Sequence, residues 1–291
     1  MHYPLKRLSN ILNMSEETLS ELSDSADSAY HRFPVRKRSG QLRWIDSPDE
    51  SLKKCQRHLL ERILYRMPVS GAAHGFVPGR SIVTNAVCHE GQAWVIAFDL
   101  KNFFPSVTRT QVDQVVARIP DIAQADVDVV GKLLTKNGVL PQGAPTSPYM
   151  ANLVFESVDI VLARLADEAE LRYTRYADDL TFSGSSVPKG FDAAVDDIVR
   201  THGFKLNKRK TRRMGQHTRQ MVTGLVVNER ARLPRPLRRW MRVVRHDVLS
   251  RGIERVQLDF PELTEDRLAG YVAFARMVQS RCGTGRGTRH E

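Results

Sequence analysis

Residues 171–184 read Leu-Arg-Tyr-Thr-Arg-Tyr-Ala-Asp-Asp-Leu-Thr-Phe-Ser-Gly, and no other stretch constrains the fold of this chain as tightly. Leu171, Tyr173, Leu180 and Phe182 alternate with polar neighbours, the two-residue period of strands. Two short strands joined by a tight turn put Asp178 and Asp179 at an exposed hairpin tip. Neighbouring carboxylates at such a tip repel each other and add nothing to a core, whereas a divalent cation would neutralise them. The plainer alternative is a turn that simply favours Asp.

A second carboxylate is placed with equal economy. Residues 93–98, Ala-Trp-Val-Ile-Ala-Phe, form a continuous apolar run that predicts a strand buried on both faces. The run ends in Asp99, and a charge at the mouth of a buried strand needs a partner. Lys101 or a strand-end turn would serve, and so would metal ions shared with Asp178 and Asp179. Two ions about 3.5–4 Å apart suit in-line phosphoryl transfer, one activating a hydroxyl and the other steadying the leaving oxygen.

Charge is distributed unevenly. Residues 200–291 hold 22 of the 44 Lys and Arg but 8 of the 33 Asp and Glu, a net +14, while residues 1–199 carry a net −3. A basic lobe on a slightly acidic body is the footprint of a nucleic-acid grip, with a solvated basic surface as the alternative. A length of 291 residues allows more than one lobe. No apolar run approaches membrane-spanning length and no signal peptide is expected. Cys55, Cys88 and Cys282 match neither a disulfide framework nor a zinc spacing, so a reducing cytoplasm is the expected home.

Residues 15–29 predict a helix with Ser15 as its cap, and residues 30–45 a hairpin turning at Ser39-Gly40. Residues 49–66 predict a helix with Leu52, Leu59, Leu60, Ile63 and Leu64 inside, followed by a structured loop through Arg80. Thr108 and Gln111 are spaced as a capping box. A further helix stops at Asn137-Gly138, and Pro148 opens a long one with Val154, Val158, Val161 and Leu165 as its core stripe. Leu233-Pro234-Arg235-Pro236 reads as a stiff connector. Beyond it, residues 237–250 predict a helix with Leu237, Met241, Val244 and Val248 inside and Arg238, Arg239, Arg242 and Arg245 outside. Thr264 caps a last helix with Leu268, Tyr271, Val272 and Ala275 inside. Residues 283–291 have nothing to bury and are expected to be disordered.

Taken in order, these stretches resemble the reverse transcriptases. Asp99 to Val107 resembles that family's first catalytic motif and Tyr176 to Asp179 its second. Residues 140–148, Leu-Pro-Gln-Gly-Ala-Pro-Thr-Ser-Pro, resemble its template and nucleotide loop, and Gly203 to Thr211 its fourth palm motif. Asn85-Ala86-Val87-Cys88-His89 and Val222-Thr223-Gly224 fit patterns of the retron branch on either side of the palm. The resemblance implies an α+β right-hand polymerase fold, with an antiparallel palm sheet packed on helices. The N-terminal helix and fingers are expected in residues 1–90 and the palm in 91–228, with an inserted fingers segment near 116–148. A small basic helical thumb is expected in 229–282.

It also implies RNA-directed DNA synthesis. Asp99, Asp178 and Asp179, helped by the Leu100 carbonyl, would hold two Mg²⁺ ions, with Mn²⁺ as a substitute. Arg36, Arg43 and Arg80 would bind the triphosphate, while Gln142 and Gly143 pack near the nascent pair. Lys210 would meet the leaving pyrophosphate or be a plain surface lysine. Phe104 matches the steric gate beneath the sugar. Asn85, His89, Val222, Thr223 and Gly224, with Arg238, Arg239, Arg242 and Arg245, would handle RNA; a core role is the alternative for His89. Retron enzymes prime from a 2′-OH of a structured non-coding RNA, leave a branched RNA–DNA product, and commonly act with an effector protein against phage. Other readings are an intron-type or other 3′-OH-primed enzyme, a template-independent or RNA-copying polymerase, and a non-catalytic RNA-binding scaffold.

Overall fold

The computed structural model describes residues 5–36 and 40–282. Ser39, expected in the first hairpin turn, and the tail 283–291 lie outside these residues. The chain opens with α1 (Lys6–Leu12) and α2 (Glu16–Ser25), the latter capped by Ser15, whose hydroxyl accepts from the Thr18 N–H. The hairpin β1 (Tyr30–Arg36) and β2 (Leu42–Pro48) follows, then α3 (Glu50–Arg62), capped by Asp49, and the short α4 (Ile82–Val87). The central strand β3 (Trp94–Asp99) leads into α5 (Phe103–Ser106) and α6 (Arg109–Val116). The expected capping box of Thr108 and Gln111 is present at α6. Next come α7 (Val127–Leu134) and the long α8 (Ser147–Glu168), with Pro148 in its first turn.

The second hairpin, β4 (Arg172–Tyr176) and β5 (Asp179–Gly184), precedes α9 (Phe191–Thr201) and β6 (Arg212–Gly215). A small hairpin of β7 (Met221–Val222) and β8 (Leu225–Val226) then leads to α10 (Arg235–Arg251), α11 (Ile253–Asp259) and α12 (Glu265–Cys282). No helix among the described residues is long and apolar enough to cross a membrane.

The palm sheet has the order β4-β5-β3-β6 and is antiparallel throughout. Its middle strand shows why an unbroken apolar run was needed. Ile96 and Phe98 enter one core with Phe155 of α8, Phe182 of β5 and the leucines of α1 to α3. Val95 and Ala97 face the other way, into a second core with Met214, α4, the β7–β8 hairpin and Val278 of α12. Alternation along one strand thus feeds two cores. A third, smaller cluster joins Val244, Val256 and Leu263 in the thumb.

Several local expectations shift. The helices α1, α4 and α11 are six or seven residues long and carry too few apolar positions for a periodic signal. Arg235 and Pro236 belong to the first turn of α10, where proline is tolerated, so the expected connector is shorter. In the second half of α8, Leu162 is fully buried where Val161 was expected to be. Val272 is exposed on α12.

Candidate active site

The register of the palm sheet sets Asp99 directly opposite Asp179, and β4 meets β5 with Tyr176 opposite Asp179. Ala177 and Asp178 are the two turn residues, with Ala177 in the left-handed region at φ 56°. The Leu100 N–H donates to the Asp178 carbonyl at 2.8 Å, stitching the strand end after Asp99 to the turn. All three carboxylates therefore converge where two central strands end. The tip is not exposed as expected. Asp99 is buried and the other two are half-buried. Burial first, and then neighbouring carboxylates, push both Asp178 and Asp179 above the usual carboxylate range, Asp179 to about 6.

The partner of Asp99 is neither Lys101 nor a turn. Lys210 Nζ lies 2.6 Å from Asp99 Oδ2, and this ion pair raises the lysine's pKa. A recess of about 210 Å³ is lined by Asp99, Asp179, Arg209, Lys210 and Arg212, among others. Arg209 and Arg212 were not singled out in the sequence; the basic run 208–213 is the signal that carried them. Among the described residues no three His, Cys, Asp or Glu side chains are gathered as tightly as a metal cage requires. The donors present are nonetheless hard oxygens, two of them destabilised as anions, with a lysine ammonium serving as counter-cation. That donor set fits a hard divalent cation.

The nucleotide-binding expectations divide. A turn of Ser39-Gly40 alone would set Arg36 opposite Arg43. The observed register instead sets Val35 opposite Arg43 and Arg36 opposite Leu42. A one-residue shift sends the two arginines to opposite faces of the hairpin. Arg43 is near enough to the carboxylates to lower the Asp178 pKa, which makes it the arginine of the pair that faces the site. Arg80 is engaged locally through Nη1. Its guanidinium donates to the carbonyls of Ser70, at 3.1 Å, Gly71, at 2.8 Å, and Ala73, so it fastens its own loop.

Gln142 and Arg43 line an open cavity of about 480 Å³ with Arg32, Trp44, Asn102 and Lys136. The Gln142 carbonyl accepts from the Asp46 N–H at 2.9 Å. A Cβ at Gly143, φ 147°, would lie 2.5 Å from the Asp46 carbonyl oxygen, so only glycine lets the loop lie this close to β2. Phe104, half-buried, stands 6.1 Å from Phe76 and 5.7 Å from Phe103, ring to ring.

The two short motifs on either side of the palm meet in space, but mostly inside the protein. Thr223 and Gly224, both at positive φ, form the β7–β8 turn, and the Thr223 hydroxyl donates to the Ile82 carbonyl at the start of α4. Asn85, His89 and Val222 are buried. The His89 ring bridges Ser183 Oγ and Thr174 Oγ1, both at 2.7 Å, and burial holds its pKa down to about 3. The core reading of His89 therefore holds, and RNA contact by Asn85, His89 and Val222 is set aside, since buried side chains cannot reach a ligand surface.

Arg238, Arg239, Arg242 and Arg245 are exposed on α10, as expected. Three of them, Arg238, Arg242 and Arg245, line a groove against α12 with Arg235 and Arg276, whereas Arg239 does not.

A family model described as Reverse transcriptase (RNA-dependent DNA polymerase) matches residues 35–227. The chain is similar to the retron Mx162 reverse transcriptase of Myxococcus xanthus, 40% identical over an alignment of 258 residues that covers 76% of this chain and 53% of that protein. It is similar to the retron Mx65 reverse transcriptase of the same organism, 36% identical over 268 residues, 86% of this chain and 61% of the relative. The retron Ec86 reverse transcriptase of Escherichia coli is 34% identical over 229 residues, 77% of this chain and 71% of the relative. The chain thus spans a little over half of the length of the first of these relatives and about seven-tenths of the third.

Proposed function

The chain belongs to the reverse transcriptases, among those of retrons, and we propose that it copies part of a structured non-coding RNA into single-stranded DNA, primed from a 2′-OH of that RNA. The observation that carries the catalytic part is the strand register that sets Asp99 against Asp179 with Asp178 beside it. Asp99, Asp178 and Asp179, with the Leu100 carbonyl, are the groups that would hold divalent metal, two Mg²⁺ ions or Mn²⁺ in their place. Metal bound there activates a hydroxyl nucleophile and neutralises charge on the departing pyrophosphate. Arg43, on the face of the fingers hairpin toward the carboxylates, binds the triphosphate of a deoxynucleotide. Lys210, Arg209 and Arg212 offer cations to the pyrophosphate. Phe104 closes the space beneath the sugar and excludes ribonucleotides.

The groove of α10 and α12 supplies the RNA grip through phosphates. Thr223 and Gly224, at the surface end of the β7–β8 turn, add the remaining motif contacts. The setting is cytoplasmic, with an effector protein as a further partner.

Purified from its native host, the protein should carry a small RNA joined covalently to single-stranded DNA. RNase A should leave DNA with a short branched remnant that a debranching enzyme releases. Linear DNA made only from 3′-OH primers would refute the retron mode of priming and leave polymerase activity standing. No extension of any annealed primer with Mg²⁺ would refute both.

A further inference from the structure

The largest fully buried side chain among the described residues is an arginine, and it lies directly beneath the catalytic turn. Arg175 precedes Tyr176-Ala177-Asp178-Asp179 on β4. Its guanidinium holds Asp159 with both edges, Nε to Oδ1 at 2.9 Å and Nη2 to Oδ2 at 2.6 Å. Nη1 donates to Asn152 Oδ1 at 2.8 Å and to the Ala177 carbonyl at 3.2 Å. The same group stacks over Phe155, at 4.8 Å, and over Phe103, at 5.9 Å. Asn152, Phe155 and Asp159 occupy one face of α8 at spacings of three and four, so the helix presents an acceptor, a ring and a carboxylate in line. Both ends of the ion pair are fully inaccessible, and Asp159 is further held by the Tyr173 hydroxyl at 2.7 Å.

A core that needed only stability would do as well with apolar residues here, because burying two charges costs much of what their attraction returns. The guanidinium's other contacts explain its presence. Ala177 sits at φ 56°, which a residue with a Cβ adopts only when its surroundings impose it. Gly75 packs so closely against the turn that a Cβ on it would meet the Ala177 nitrogen at 2.5 Å. Gly75 is itself tied to the network, since its carbonyl accepts from Asn152 Nδ2 at 2.8 Å. The Arg175 backbone adds two bonds to the same loop, its N–H to the Ala72 carbonyl and its carbonyl from the His74 N–H, each 2.7 Å. The turn is thus held by both the 72–75 loop and the guanidinium.

We infer that Arg175 is a positioning residue that holds the Ala177-Asp178 turn in its left-handed geometry and so sets the spacing of Asp178 and Asp179 from Asp99. Being fully buried, it can act on substrate or metal only through the turn. The inference rests on the polymerase reading of the site. It assigns to Asn152, Phe155 and Asp159 the role of aiming the guanidinium, and it ties the catalytic turn to the loop that follows α3.

The test separates geometry from stability. Arg175→Met with Asp159→Leu replaces the buried pair by apolar side chains and removes the bond to Ala177; Arg175→Lys keeps the charge but loses the planar fork. Extension of an annealed DNA primer on RNA is compared with wild type at a temperature where each variant is folded by circular dichroism. Mn²⁺ binding, read by electron paramagnetic resonance titration without nucleotide, is the second measurement. The expectation for both variants is a loss in kcat of about 10²-fold, since a misplacement of 1 Å at a catalytic group has that scale. Mn²⁺ affinity should weaken with it, with unchanged affinity for primer–template. Either folded variant with wild-type kcat and wild-type Mn²⁺ affinity overturns the inference, as does loss of kcat with Mn²⁺ affinity intact. Should the double variant not fold, Arg175→Lys decides by the same readings. A wild-type protein that extends no primer would refute the polymerase reading instead.

Discussion

The palm and the thumb treat charge in opposite ways. In the palm, Arg175 and Asp159 are both wholly buried and paired with each other, and Lys210 is paired with Asp99. In the thumb, Arg238, Arg239, Arg242 and Arg245 are exposed and form no ion pair among the described residues. The cores differ likewise. β3 feeds two extensive clusters, whereas the thumb's own cluster has three buried members, Val244, Val256 and Leu263, and leaves Leu249 and Leu258 mostly in solvent. Where reacting atoms must be held to fractions of an ångström, polar groups are fixed by partners that packing cannot displace. Where a phosphate backbone must be gripped, unpaired guanidinium groups on a thinly packed helix suffice, because salt-dependent attraction needs no fixed partner.

The widest gap between the regions should show in Asp178→Ala and Asp179→Ala. Primer extension should fall to background in either, while the thermal midpoint stays level or rises. Each carboxylate is held above its usual range by burial and like charge, so its removal relieves strain in the fold. Asp99→Ala should also abolish extension. Near-normal extension by a folded Asp178→Ala, Asp179→Ala double variant would break the assignment of chemistry to the palm carboxylates.

His89 gives the palm a pH signature. Its ring is neutral in the fold, with a pKa of about 3, and protonates near 6.5 in the unfolded chain. Between those values the unfolded state binds more protons. Stability is therefore flat above about 6.5 and falls as the pH drops through the window toward 3, by about 2 kcal/mol at pH 5. Urea unfolding at pH 7.5 and pH 5 measures this. His89→Leu should remove that part of the pH dependence and cost about 1–3 kcal/mol for each of the hydroxyls of Thr174 and Ser183 left without the ring. An unchanged pH dependence in the variant would mean that other groups govern acid stability.

How much of this could be read from the chain follows the range of the interactions. The strands bearing Asp99 and Asp179 were legible because an apolar run and its chemistry lie within a few residues. The capping box at Thr108 and the buried face of α10 were legible for the same reason. The role of His89 was not, because its partners lie 85 and 94 residues away. Arg175 was hidden because its acceptors, Asn152 and Asp159, stand on a helix that otherwise reads as an apolar stripe. The opposed faces of Arg36 and Arg43 turn on a single residue of hairpin register, which local propensity does not fix.

Phe104 tests whether palm rigidity extends to substrate choice. Its ring packs on Phe76 and Phe103, contacts that would steady it as the proposed gate against a 2′-OH. Phe104→Val should raise the ratio of ribonucleotide to deoxyribonucleotide incorporation roughly tenfold or more, the scale of a steric change of this size in a pocket. A flat ratio in an active variant would make Phe104 a packing residue only.

The smallest effect on the fold, and the one that isolates the thumb, comes from its arginines. Arg238→Gln, Arg242→Gln and Arg245→Gln together should leave the thermal midpoint nearly unchanged, since exposed substitutions away from special contacts shift stability by about 0.5 kcal/mol or less. Affinity for RNA should fall at low salt, and the slope of log affinity against log salt should flatten by about 0.7–0.9 for each phosphate no longer neutralised. Arg239→Gln is the internal control, because Arg239 lies outside the groove that the other three line. If Arg239→Gln flattens the slope as much per residue as the groove arginines do, the whole surface of α10 attracts RNA diffusely and the groove is no distinct track. If the triple variant leaves the slope unchanged, the thumb's unpaired charge is solvated surface, and the contrast with the palm reduces to a difference in packing.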